Sequence, residues 1–142
     1  MNEEKNAAVP TFWLSLSLRV MAVGFGIFFL ALGLHSLRFA YFGETYLSLV
    51  RWGSHGEAYE LMICVIYLAW APFLWKAAKN PLKEKTLIDL TIVVNVVHFG
   101  TMFVQGLVME GEHVHLYGDI LLGWLGLLPL IIFWLPVRGR AG

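Results

Sequence analysis

Residues 95–119 read NVVHFGTMFVQGLVMEGEHVHLYGD. The first half is an apolar run that carries Asn95, His98, Met102 and Gln105, a turn follows at Glu110-Gly111-Glu112, and His113, His115 and Asp119 lead back into apolar sequence. At about 100° per residue the first four side chains fall within an arc of roughly 80° on one helix face. Such a pattern is ordinary in a soluble protein, but the chain around it is 58% hydrophobic and only 14% charged, against about 25% charged in soluble domains. Each polar group therefore needs a partner or water where it sits.

Working outward, four windows are apolar and long enough to cross a hydrocarbon core of about 30 Å at about 1.5 Å per residue. They lie near residues 15–37, 57–77, 84–108 and 115–136. The expected fold is an all-α integral membrane protein, a four-transmembrane-helix bundle forming one domain. The first window has Arg19 ahead of an apolar run and Ala31-Leu32-Gly33 behind it, an imitation of a signal peptide; we read it as a retained spanning helix. The first ten residues are polar and expected to fray, with Pro10 opening helix 1. Asn80-Pro81 is a start signal for helix 3.

Lys5, Arg19, Lys76, Lys79, Lys83, Lys85, Arg138 and Arg140 fall on one side of the four windows and only Arg38 and Arg51 on the other. The positive-inside rule then predicts cytoplasmic termini. A zero net charge with no basic stripe argues against nucleic acid as a partner. The single Cys64 excludes an internal disulfide and any multi-cysteine metal site.

On the opposite side, residues 39–56 are too aromatic for a free aqueous loop and suggest a short interfacial helix in the first outer loop. Tyr41, Tyr46 and Trp52 there would alternatively form a docking surface for other membrane protein subunits. Within helix 1, Ala22 and Gly26 form a small-xxx-small pair suited to close packing. Glu57 and Glu60 share a stripe of helix 2, Asp89 pairs with Lys85 one turn earlier, and His115 stands one turn from Asp119, where carboxylate and imidazole can bond. Together His35, Glu57, Glu60, Asn95, His98, Gln105, His115 and Asp119 would line a funnel open to the outer side. No polar path continues to the cytoplasm, which argues against a single-copy channel.

Three readings follow. In the first, the polar groups fix helix register in a non-catalytic accessory subunit of a larger membrane complex. In the second, His113 and His115 beside Glu110 and Glu112 bind copper or zinc, or His98 with His35 or His115 holds haem. In the third, His115 and Asp119 act as an acid–base pair on a lipid or quinone; the absence of a nucleophile arrangement or phosphate loop places this last.

The residues Asn80-Pro81, Leu87-Ile88, His98, Met102, Gln105 and His115-Leu116-x-Gly118-Asp119 resemble the motif of an uncharacterised family of small bacterial four-helix membrane proteins, a domain of unknown function. The resemblance covers roughly residues 80–122. The apolar composition makes the lipid bilayer the immediate partner and a bacterial inner membrane the expected location, and the resemblance implies one shared site or network for His98, Gln105, His115 and Asp119. It brings no activity with it.

Overall fold

The computed structural model describes residues 2–42, 52 and 56–141. All regular elements among them are helical. Helix α1 spans Asn2–Phe42, α2 Glu57–Ala77, α3 Lys85–Val108 and α4 Asp119–Trp134, with single 3-10 turns at Pro81–Lys83, His113–Leu116 and Arg138–Arg140. Four stretches, Thr11–Arg38, Ala58–Ala77, Lys85–Val108 and His113–Trp134, are long and apolar enough to cross a membrane. Between 17% and 33% of the most apolar window of each is buried inside the protein. The bundle thus turns most of its Leu, Val, Ile and Phe side chains outward, an arrangement that apolar surroundings satisfy and water does not.

Four boundaries differ from expectation. The N-terminal segment does not fray: α1 starts at Asn2 and passes through Pro10, because residues 2–9 contain no breaker and one proline removes a single backbone bond without ending the helix. α1 also continues to Phe42, so Tyr41 belongs to it. Of the rest of the expected interfacial helix, Trp52 and Gly56 are described and are not helical, and the other residues, with Tyr46, lie outside the described residues. His115 sits in the 3-10 turn ahead of α4, since Gly118 (φ −98°, ψ −114°) breaks the helical path immediately before Asp119. Asn80-Pro81 likewise opens a 3-10 turn, and α3 follows from Lys85.

The helices pack in antiparallel register. Across α1 and α2, Ser36 donates to Glu60 (2.7 Å), Phe29 stacks on Tyr67 with centroids 4.2 Å apart, and Ser15 donates to the Ala78 carbonyl. The tight glycine here is Gly33, where an added Cβ would lie 3.3 Å from Cys64 Cβ. Gly26, expected to pack closely, has open space instead. α3 runs back against α4, where Phe99 packs so closely on Gly123 that an added Cβ would lie 2.6 Å from its ring. α2 and α3 meet least among the helix neighbours. They are bridged by Tyr67 Oη donating to Asn95 Oδ1 (3.0 Å) and Trp70 Nε1 donating to Thr91 Oγ1 (3.2 Å).

The core is densest at the end carrying the α2–α3 connection, where Leu14, Leu18, Leu74, Ile88, Leu130 and Trp134 are fully buried. A polar brace closes this end. Asp89 does not use Lys85: it accepts from Trp134 Nε1 (2.7 Å) and takes both Nε and a terminal nitrogen of Arg138 (2.8 and 2.9 Å), while Lys85 donates to the Ala141 carbonyl (3.2 Å). The planar guanidinium offers two parallel donors that a lysine one turn away cannot match. The hydrogen bonds and charge of Asp89 in turn push the Arg138 guanidinium above its ordinary pKa.

Asp89→Ala should cost about 1–3 kcal/mol, because the buried Trp134 indole N–H loses its acceptor. Arg138→Ala should cost much less, since that pair is half exposed. Thermal unfolding of the purified protein in detergent measures both; equal losses would place the strength of the brace in the ion pair.

Candidate functional site

At the other end of the bundle the turn His113–Leu116 follows Gly111, whose φ of +89° is reached cheaply only by glycine. The turn delivers His115 into a fully buried position. Its Nε2 lies 3.1 Å from Glu112 Oε2 and its Nδ1 3.0 Å from Asp119 Oδ1. Each ring nitrogen thus faces one carboxylate oxygen. One face of the ring is covered by Trp52, stacked at 4.1 Å between centroids and 21° between planes. Trp52 Nε1 then donates to Asp119 Oδ2 (2.9 Å), and the Ile120 N–H donates to Asp119 Oδ1 (3.1 Å). Asp119, first residue of α4, is therefore held by an imidazole, an indole and a helix N-terminal amide, and its charge suits that helix end. His113 is engaged separately, its Nδ1 2.7 Å from the Gly106 carbonyl.

Beside this network lies a cavity of about 650 Å³. Its walls are apolar and aromatic, with Phe25, Phe28, Phe29 and Leu32 from α1, Phe99 and Met102 from α3, and Leu122 and Leu125 from α4. Its polar groups gather towards the network end: Trp52, Glu60, Gln105 and Asp119, with His98 about two turns deeper than Gln105. Val20, Tyr59, Leu122 and Leu125 on the lining are each more than half exposed, so the cavity opens to the surroundings of the bundle. The space begins on the outer side of the Tyr67–Asn95 bridge between α2 and α3, and Gly24 and Gly126 leave its wall bare, with nothing within 4 Å of an added Cβ.

A family model described as a family of unknown function (DUF6632) matches residues 49–141. The chain belongs to this DUF6632 family. No curated protein and no solved structure matches it. The DUF6632 segment is wider than the motif read from the sequence: it takes in α2, α3, α4 and Trp52, hence the whole His115 network, and leaves α1 with its cavity wall outside the match.

The eight polar residues expected to share a funnel divide into groups. Glu60, His98, Gln105 and Asp119 line the cavity, and His115 stands behind Asp119. Asn95 is fully buried deeper in the bundle, where it donates to the Thr91 carbonyl (2.8 Å) and accepts from Tyr67, bridging helices. His35 is not on the lining; its Nε2 is buried with no hydrogen-bond partner among the described residues. Glu57 opens α2, and its side chain lies outside what is described. Among the described residues no group of three or more His, Cys, Asp or Glu could hold a metal ion. His115, considered for haem, has both ring nitrogens engaged by carboxylates.

Trp52 and Glu112 are the members of the network that sequence reasoning did not place in it. Trp52 comes from a connection distant in sequence, and no periodicity relates it to Asp119. Glu112 precedes His115 by three residues, the spacing of one helical turn, and that signal was available.

His115→Ala should destabilise the protein by about 3–5 kcal/mol, because it leaves two carboxylates at the site of a removed partner. His113→Ala should cost only about 0.5–1.5 kcal/mol, the scale of one hydrogen bond. Chemical unfolding in mixed micelles measures both; a His115 loss no larger than that of His113 would mean the carboxylates do not depend on the ring.

Proposed function

We propose that this DUF6632 chain is a small non-catalytic integral membrane protein that keeps an amphiphilic molecule in an intramembrane cavity, with both termini on the cytoplasmic side of a bacterial inner membrane. The observation that carries the reading is the 650 Å³ cavity, apolar along its walls and polar at one end. That volume lies in the range of small-molecule sites, which are mostly apolar with a few oriented polar groups. A void of this size within otherwise close-packed helices forfeits contacts along its whole lining unless a chain or lipid tail fills it. The polar groups around Asp119 are bonded to one another, which suits holding a head better than donating or removing a proton.

A second reading, the accessory subunit of a larger membrane complex, is favoured by Tyr59 and Tyr117, which are 73% and 80% exposed near the same end of the bundle. Exposed aromatic residues there suit either the membrane interface or another subunit.

Native mass spectrometry of the protein released from its own membranes in mild detergent addresses both. The expected spectrum shows the chain with one extra mass of lipid size, and the double variant Gly24→Leu, Gly126→Leu, which fills the cavity from two sides, loses it. Retention of the adduct by the double variant would place the amphiphile elsewhere. Additional protein subunits in the particle would support the accessory reading.

A further inference from the structure

The cavity also has a chemical sign. Its described lining carries two carboxylates, Glu60 and Asp119, and no lysine or arginine. The other polar groups there are the Gln105 amide, the His98 ring and the Trp52 indole, and the indole N–H is already given to Asp119. Asp119 accepts three hydrogen bonds, while an ionised carboxylate offers about four acceptor positions. Behind Asp119 the His115 ring stands between that carboxylate and Glu112, so with Glu60 three carboxylates gather at this end against that one imidazole, and what it presents to an incoming head is mainly acceptor oxygen and negative charge. In apolar surroundings like charges repel far more strongly than in water, and aromatic walls add attraction for a cation.

Resting on the amphiphile reading above, we infer that the occupant of the cavity has a head that donates hydrogen bonds and bears no negative charge: a long-chain alcohol, phenol or amine, to the exclusion of fatty acids and anionic phospholipids. The head lies among Glu60, Gln105 and Asp119, and the tail runs between the Phe28 and Leu125 walls. Nothing is transferred; the selection is electrostatic.

The experiment compares three photoactivatable probes with the same dodecyl chain, ending in an alcohol, an amine or a carboxylic acid. Each is incorporated at equal mole fraction in phosphatidylcholine nanodiscs containing the full chain. Cross-links are mapped by peptide mass spectrometry to cavity residues such as Phe28 and Met102, and to Val97 on an exposed helix face as the reference for ordinary lipid contact. Alcohol and amine should label the cavity residues above the Val97 level, and the acid roughly tenfold less than either. The ratio of alcohol to amine separates a neutral from a cationic head, and either order supports the assignment. Glu60→Gln, which keeps an acceptor for Ser36, should raise labelling by the acid towards that of the alcohol. Acid labelling equal to or above the alcohol in the unaltered protein would overturn the charge selection while leaving the amphiphile reading intact. Cavity labelling no higher than at Val97 with all three probes would overturn both.

Discussion

His115, buried between Glu112 and Asp119 beneath the ring of Trp52, is the contact on which this end of the bundle depends. Polar groups taken out of water need partners, and here four residues supply one another's. The consequence is geometric. The turn after α3, the start of α4 and the connection leading into α2 are fastened at one point, so the ends of three segments are fixed without filling the space between the helices. A cavity persists beside the network because the network, and not side-chain packing, sets the helix separation there.

The opposite end is built differently. Leucine and tryptophan side chains from all four helices interdigitate, and the Asp89 brace ties α3 to the segment after α4. Tyr67 and Asn95 mark the transition between the two regimes: on one side α2 and α3 are bridged, and on the other they line open space. This asymmetry explains how a chain with so few charged residues has both a rigid base and room for a guest. It also assigns the glycines distinct roles. Gly33 and Gly123 allow close approach, whereas Gly24 and Gly126 leave volume empty.

The four helices were legible from hydropathy, since a long apolar run has few alternatives to a spanning helix; their limits shifted where Gly118 and the Asn80-Pro81 pair redirected the chain and where α1 ran on past its apolar window at both ends. The His115–Asp119 contact was legible from its four-residue spacing even though a 3-10 turn, not a continuous helix, supplies it. The Asp89 partner was not, because Trp134 and Arg138 lie 45 and 49 residues away and only the α3–α4 register brings them near. Trp52 was visible as an aromatic residue in an apolar connection; whether it faces a partner or its own fold depends on the path of that connection, which no local pattern encodes. The cavity was foreshadowed by polar residues on several helices. Its apolar walls were not, because an apolar position facing a void and one facing lipid look alike in sequence.

On the proposed reading an amphiphile occupies the cavity with its head at the Asp119 end. A side-chain-resolution structure of the protein in nanodiscs made from its native lipids tests this most directly. The expected result is elongated density between α1 and α4, ending in a head within hydrogen-bond distance of Glu60, Gln105 or Asp119. A collapsed cavity, with the Phe28 and Leu125 walls in contact and the His115 network intact, would contradict it.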